Sequence, residues 1–274
     1  MPVSLDIRHF LATQPIDLPV FNPVALNILQ LTSDPDTDIE DVVRGINEDQ
    51  SLSAQILKVA NSPVFMGLSK METIKASVIR LGSRQVANLA MTASQASLHA
   101  SDNVASNSLM QKLYSHSNAC AIGCWWVAQN CGHKNLAEQA YMAGLLHDIG
   151  KLYLVKALEH LDTTTDPDLV VDQHVFHEVF SELHIEQGCR IMDHWNLPPI
   201  YRTVVANHHV EEFNTDDALL AIVRLVNVIS RKYGLSLNPD HTTDIQPEIS
   251  VLAMTKSRCT ELDVVMKGYF EISQ

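Results

Sequence analysis

The residues best suited to chemistry lie around one short stretch, GLLHDIGK at residues 144–151. His147 and Asp148 stand side by side in an apolar run, where burying either group is costly unless a partner satisfies it. An imidazole and a carboxylate are both good ligands for a divalent transition metal, and an aspartate can bridge two ions. A hydrogen-bonded polar pair, with Asp148 paired to Lys151, explains the same residues without a metal. The dipeptide by itself leaves both interpretations open.

Further histidines interrupt helical apolar patterns in the same half of the chain. Of 13 histidines, only His9 and His99 precede residue 110. Taken singly, each of the others is explained as an ordinary, partly buried histidine with a hydrogen-bond partner. Taken together, they can supply the ligands of one or two metal ions. The candidates for that centre are His116, His184, His208 and His209.

Two cysteines share a helical stripe with His116. Cys120 and Cys124 follow it by four and eight residues, which invites a zinc interpretation. Small core side chains beside two tryptophans explain the same spacing, and this packing interpretation is favoured. The chain has five cysteines without a CxxC pair, so neither a disulfide framework nor a zinc ribbon is indicated.

The elements that must position these residues are predicted to be helices. Apolar residues recur at helical spacing and no segment alternates with a period of two, which predicts an all-α fold. A polar interval at 100–109 is predicted to be a connecting loop between subdomains at residues 1–105 and 110–274, and further loops are predicted at 160–168 and 238–248. The predicted helices cover 23–31, 39–49, 50–60, 72–81, 83–98, 110–130, 136–158, 176–195, 198–210, 216–233 and 249–270.

Composition narrows the classes of partner. The formal net charge is −13, with 19 basic against 32 acidic residues, which argues against direct binding of nucleic acid. No run of about eighteen apolar residues is present, and the N-terminus has neither the basic start nor the apolar middle of a signal peptide. We therefore expect a cytoplasmic protein that does not bind a membrane.

The N-terminal half carries an ordered series of motifs. They are Leu-Pro at 18–19, Asp-Pro at 34–35, Glu-Asp-x-x-Leu-x-x-x-Ile-Leu at 48–57, Ala-Asn-Ser at 60–62 and Leu-Gly at 81–82. Over residues 16–91 the series resembles the opening of the HDOD domain, the HD-related output domain of bacterial signalling proteins. The resemblance implies an all-α fold of two packed helical subdomains, the second an HD-type helical bundle, and a regulatory role.

The histidine-rich half resembles the HD superfamily of metal-dependent phosphohydrolases, including the HD-GYP branch that hydrolyses cyclic dinucleotides. Asn227 stands where the resemblance places an aspartate, and no Gly-Tyr-Pro follows His209. A neutral amide lacks the charge that holds a divalent ion and helps activate water, so these departures weaken the enzymatic hypothesis. The metal ligands that the resemblance implies are His116, His147, Asp148, His184, His208, His209 and Asn227.

Two functions follow from the resemblance as expectations. One is a signalling module of HDOD type that binds a partner protein or a small nucleotide-like signal ligand, with any metal serving structure or sensing. The other is a metal-dependent phosphohydrolase acting on a nucleotide or cyclic dinucleotide, with Asp148 and Lys151 as catalytic residues and Lys151 as a phosphate contact. Any metal bound in either case would be one or two divalent ions of iron, manganese, zinc or nickel. The fold cannot choose between them.

Overall fold

The computed structural model describes residues 5–13, 22–32, 34, 36–61, 65, 69–99, 101, 103–164, 173–234 and 242–273. Within these ranges every regular element is helical, so the predicted all-α fold is confirmed. None of these helices has the length and apolar character needed to span a bilayer. In chain order they are α1 Leu5–Thr13, α2 Pro23–Leu31, α3 Ile39–Asn47, α4 Gln50–Ala60, α5 Ile74–Leu81, α6 Ser83–Leu98, α7 Val104–Asn130, a 3₁₀ helix at Lys134–Leu136, α8 Ala137–Leu146, α9 Ile149–Thr164, α10 Gln173–His194, α11 Pro199–Asn207, α12 Ala218–Lys232, α13 Gln246–Val251 and α14 Lys256–Ser273.

Contacts divide the chain into two compact units, residues 19–100 and residues 1–18 together with 101–274. In the unit of residues 19–100, α6 packs against α2, α4 and α5. In the other unit, α7 packs against α8, α12 and α14, and α10 packs against α9 and α11. The histidine-rich half of the sequence therefore forms one compact body with α1.

Residues of the N-terminal motifs form hydrogen bonds at both ends of α4. Asp49 caps α4, because its carboxylate accepts hydrogen bonds from Leu52 N and from Asn22 Nδ2, both at 2.9 Å. The bond from Leu52 N, followed by that from Asn22, holds the pKa of Asp49 below its usual value. Asn61 ends α4, and its amide bonds to Met71 N at 2.7 Å and to Met71 O at 2.8 Å. These motif residues thus fix the chain where α4 begins and where it ends.

The first helix joins the later part of the chain. Leu11 is buried, and its carbonyl accepts a hydrogen bond from Arg190 Nη1 at 3.0 Å. Arg8 forms an ion pair with Glu182. The observed division therefore places α1 with residues 101–274, whereas the sequence boundaries place it in the subdomain 1–105.

The predicted loop at 100–109 is wrong for its second half, because α7 already begins at Val104. Asn103 Oδ1 accepts a hydrogen bond from Ser106 N at 3.2 Å, so the polar residues cap a helix instead of interrupting one. Similarly, α9 extends to Thr164 into the loop predicted at 160–168, and the remainder of that loop lies outside the described residues. The loop predicted at 238–248 falls partly outside them too, and its end is the start of α13.

The predicted helix at 136–158 is two helices. α8 ends at Leu146 and α9 begins at Ile149, so His147 and Asp148 form the turn between them. The apolar spacing continues through this turn, which is why periodicity alone predicts one helix. The break directs both side chains to one place, with His147 Nε2 3.5 Å from Asp148 Oδ2.

The predicted helix at 249–270 is also two helices, α13 and α14. Between them Ala253 adopts a positive φ of 47°. Met254 N bonds to Ile249 O at 3.0 Å and Ala253 N bonds to Ser250 O at 3.2 Å, the paired bonds of a Schellman ending. An alanine in place of the usual glycine conceals this ending in the sequence.

Two glycines allow the helices around residues 147–148 to approach closely. A Cβ on Gly144 would lie 2.7 Å from the backbone oxygen of Cys120, on α7. A Cβ on Gly150 would lie 1.9 Å from the backbone oxygen of His184, on α10. Only glycine fits at such distances, so these two positions set how near α8 comes to α7 and α9 to α10.

Candidate metal centre

Asp148 lies at the centre of a buried group of histidines. Its Oδ2 is 3.3 Å from His116 Nε2 and 3.5 Å from His147 Nε2. Its Oδ1 is 3.5 Å from His208 Nε2 and 3.8 Å from His184 Nε2. Each oxygen of one carboxylate therefore faces two imidazoles. We call His116, His147 and Asp148 Oδ2 the inner site, and Asp148 Oδ1, His184, His208 and His209 the outer site.

Separate helices deliver these side chains. His116 projects from α7, and His147 and Asp148 come from the turn between α8 and α9. His184 comes from α10, while His208 and His209 follow the last residue of α11. The structure brings together six of the seven residues that the sequence nominates as metal ligands, and the seventh, Asn227, is treated below.

The four buried imidazoles are anchored through Nδ1. A backbone carbonyl can only accept a hydrogen bond, so a neutral ring bonded to one carries its proton on Nδ1 and a lone pair on Nε2. The anchoring atoms are Gly144 O for His147 (2.8 Å), Phe180 O for His184, Val205 O for His208 (2.9 Å) and, for His116, the hydroxyl Ser230 Oγ (2.9 Å). In their neutral form, these three rings aim an unprotonated Nε2 at the carboxylate of Asp148.

Burial keeps two of these rings neutral. It lowers the pKa of His147 to about 3 and is also the largest cause that lowers the pKa of His184 to about 4. Burial opposes ionisation of Asp148 as well, but the ammonium of Lys151 and the hydrogen bond from His116 outweigh it and hold the pKa of Asp148 well below its usual value. A carboxylate therefore faces imidazole lone pairs, which repel it unless a cation lies between them.

His116 differs from the other rings. Burial lowers its pKa, but contacts with Cys120 and Asp148 outweigh burial and raise the pKa to about 9. Its hydroxyl anchor, Ser230, can accept or donate, so either nitrogen of His116 can carry the proton. A metal ion at the inner site would displace the proton that His116 otherwise holds towards Asp148.

The spacing of the inner site fits a metal ion. His116 Nε2 is 3.3 Å from His147 Nε2, which completes a triangle with the two contacts to Asp148 Oδ2. Ligand atoms about 2.0–2.1 Å from a tetrahedral ion stand about 3.3–3.4 Å apart. The three atoms therefore already have the separations of one face of a tetrahedral site.

In the outer site, a metal ion is indicated by a set of polar atoms whose hydrogen bonding is unsatisfied. Asp148 Oδ1, His184 Nε2 and His208 Nε2 are buried and have no hydrogen-bond partner among the described residues. Their ligand atoms and that of the exposed His209 lie within 4.8 Å of one another. Buried polar atoms that converge without partners are costly, and a shared cation would satisfy all of them.

Lys151 contacts the inner site. Its Nζ lies 2.6 Å from Asp148 Oδ2, and its side chain is 18% exposed. The pairing of Asp148 with Lys151 that the sequence suggests is therefore present, in addition to the histidines. The ammonium therefore contacts a buried carboxylate while its own side chain stays partly exposed.

Asn227 is buried on α12. The described contact between this helix and the inner site is made by Ser230, one turn later, through its bond to His116 Nδ1. Asn227 as a ligand therefore stays a prediction. Sequence reasoning missed Ser230, because a serine near a helix end carries no metal-site pattern.

A second missed feature supports the His208–His209 pair. Arg224 on α12 donates to the carbonyls of His208 and Val210, and its Nε bonds to Glu248 Oε1 at 2.8 Å. Glu248 is 3% exposed, and Arg224 also stacks over Phe213 at 4.4 Å. This buried ion pair holds the turn in which His208 and His209 lie. The sequence signal that could have revealed this pair is that Arg224 and Glu248, 24 positions apart, are charged residues within otherwise mainly apolar segments.

A known protein sequence is similar to most of this chain. A protein of Treponema pallidum (strain Nichols), described as uncharacterized, is 26% identical over 224 residues, which are 78% of this chain and 42% of that protein. The chain thus spans about two fifths of that relative's length.

Two solved structures share the fold. One, described as a "Putative metal-dependent phosphohydrolase" from Shewanella amazonensis SB2B, is 18% identical, with a TM-score of 0.71 and 96% of each chain covered. The other, described as a "Putative signal transduction protein" from Marinobacter aquaeolei VT8, is 18% identical, with a TM-score of 0.68, and the match covers 97% of this chain and 65% of that one. A model of the HDOD domain matches residues 18–211, more than half of the chain, and the protein belongs to the HDOD domain family.

Proposed function

We propose that this HDOD protein is a signalling module whose histidine centre binds one or two divalent transition metal ions, and which acts by binding a partner protein or a small nucleotide-like ligand. The observation that supports the metal is the set of buried atoms around Asp148. Its two oxygens face four imidazole nitrogens at 3.3–3.8 Å, and within the described part of the chain three of the atoms in this group have no hydrogen-bond partner. The ions would be iron, manganese, zinc or nickel, which suit imidazole and carboxylate ligands.

Metal analysis of protein purified without a histidine tag tests this proposal. We expect one or two equivalents of a transition metal in the wild type and a clear loss in Asp148→Asn, which removes the charge shared by both sites. His174→Ala is the matched control, since His174 is an exposed histidine on α10 outside the cluster. Less than about a tenth of an equivalent in the wild type, both as purified and after dialysis against each metal, would contradict the proposal.

The same centre is where a small ligand would bind. Denaturing the purified protein mildly should release such a ligand together with the metal, and mass spectrometry of the supernatant would identify it. Recovery of a nucleotide-like compound from the wild type and not from Asp148→Asn would support a small ligand. A protein that co-purifies stoichiometrically with the wild type alone would support a protein partner.

A second candidate function is a metal-dependent phosphohydrolase acting on a nucleotide or cyclic dinucleotide. It is favoured by the position of Lys151, a partly exposed ammonium 2.6 Å from the carboxylate of Asp148. When bound, the metal would act as a Lewis acid towards a phosphoryl oxygen. Asp148 would hold the ions, the anchored histidines would fix their positions, and Lys151 would contact the phosphate as it approaches.

Turnover assays separate the two candidates. Nucleotides and cyclic dinucleotides are incubated with the wild type and added manganese or iron. We expect no turnover from a signalling module. Hydrolysis that is abolished in Asp148→Ala and reduced in Lys151→Ala, with unchanged metal content in the lysine variant, would establish the enzymatic function instead.

A further inference from the structure

We propose that Cys120 is a ligand of the inner metal ion, together with His116, His147 and Asp148. The inference rests on the metal centre of the proposed function and deepens it, because it makes the inner site a mixed site of nitrogen, oxygen and sulfur ligands. It also reverses the packing interpretation that the sequence favours for this cysteine.

The position of Cys120 supports this role. It lies one helical turn after His116 on α7 and is fully buried, so both side chains point from the same face of that helix. Its Sγ is 3.8 Å from His116 Nε2. The ligand atoms of His116, Cys120 and His147 all lie within 4.8 Å of one another. Around a tetrahedral ion, sulfur and nitrogen ligands stand about 3.6 Å apart, so Sγ needs to move towards the His147 nitrogen by at most about 1.2 Å.

The charge of the inner site supplies the reason for a sulfur ligand. Without Cys120 the ion would have two imidazoles and one carboxylate oxygen, and that carboxylate is shared with the outer site and with Lys151. Asn227, where the family resemblance places a second carboxylate, is neutral. A thiolate restores a second negative charge, and the thiol proton is released to solvent when the metal binds.

Cys124 provides an internal comparison. It lies one turn further along α7 and is equally buried, but its Sγ lies 4.0 Å from Ile222 O and 2.9 Å from where a Cβ on Gly144 would be. Its side chain therefore occupies the packed contact between helices and not the histidine group. Burial raises the pKa of Cys124 well above its usual value, as expected for a thiol that packs and does not bind a metal.

Cobalt(II) titration of the metal-free protein tests the proposal, because a thiolate bound to cobalt gives an intense near-ultraviolet charge-transfer band. We expect that band in the wild type and in Cys124→Ser. In Cys120→Ser we expect it to vanish, and cobalt affinity at the inner site to fall about tenfold to a hundredfold. Cys120→Asp should recover much of the affinity without the band.

The outcomes separate this inference from the proposed function. If the wild type binds no cobalt, the metal centre itself is refuted. If it binds cobalt but shows no thiolate band, or if the band persists in Cys120→Ser, the centre stands and the role of Cys120 is refuted. If a substitution at residue 120 prevents folding, the wild type and Cys124→Ser still test the inference: absence of the band in the wild type, or its loss in Cys124→Ser, refutes the role of Cys120.

Discussion

The contact between the Asp148 carboxylate and the imidazole lone pairs determines what the centre does. Carbonyl groups fix Nδ1 of His147, His184 and His208 as the donor, so Nε2 of each neutral ring can only accept. Acceptors facing a carboxylate repel it, and either a proton or a metal ion relieves that repulsion. At the residue scale the centre should therefore respond to both pH and metal.

The metal-free protein should lose stability as pH falls from about 6.5 towards 4. The pKa of His184 is lowered to about 4 in the folded state against 6.5 for an unperturbed histidine, so in this range the unfolded state binds more protons. Urea unfolding across the range measures the slope of the free energy of unfolding against pH. His184→Gln should show a smaller slope than the wild type, and equal slopes would contradict the lowered pKa of His184.

Asn227→Asp should bind metal more tightly if residue 227 is a ligand position. The new carboxylate would add the charge that the amide lacks, while in the metal-free state it would be buried without a partner and destabilising. Competition with a chromophoric chelator measures the affinity, and thermal melting measures the cost. Unchanged affinity would remove Asn227 from the ligand set.

At the scale of elements, helix contacts fix the spacing between ligands. α9 approaches α10 so closely at Gly150 that a Cβ would meet the His184 carbonyl. α12 reaches the turn after α11 through Arg224. Both features position ligands without binding the metal, and each can be perturbed separately.

Gly150→Ala should destabilise the protein by about 3 kcal/mol, because the new methyl group meets backbone and cannot be relieved by a side-chain rotation. Metal content should fall as α9 is pushed away from His184. Chemical denaturation and metal analysis measure the two effects. Gly268→Ala, in α14 with nothing within 4 Å of the added carbon, is the control and should be neutral or slightly stabilising. Equal effects of the two substitutions would contradict the close approach.

Arg224→Ala should cost about 3–5 kcal/mol, because it leaves Glu248 buried without its cation. The double variant Arg224→Met, Glu248→Met should recover most of that loss but not the metal affinity of the outer site, since the His208 and Val210 carbonyls remain without their donor. Denaturation curves and metal titrations of both variants are the measurements. Full recovery of metal affinity in the double variant would refute a positioning role for Arg224.

At the scale of the whole molecule, metal should stabilise one of the two units directly. An ion that binds only the folded state adds stability that grows with the metal concentration. Hydrogen exchange with and without metal should show added protection in α7, α8, α10 and α11, which surround the centre, and little in α2 to α6. Equal added protection throughout residues 19–100 would contradict a centre confined to the other unit.

The sequence predicts the helical class and most helix positions, because apolar spacing and caps are local. It also nominates the histidines that meet at Asp148, since each interrupts an apolar pattern. It could not predict the turn at 147–148, where the apolar spacing continues without a break. The Arg224–Glu248 pair and the partners of Cys120 were equally hidden, because both depend on which helices pack together.

The position of α1 has a consequence for the order of folding. In the sequence, residues 19–100 separate α1 from the rest of its unit. Leu11 contacts Arg190, which comes 179 positions later. During synthesis the intervening unit can fold as soon as it emerges, whereas α1 must wait until α10 has been made. We expect pulse-labelled hydrogen exchange to show that α4 and α6 become protected before α1. Although α1 is synthesised before them, it would then be among the last helices to pack.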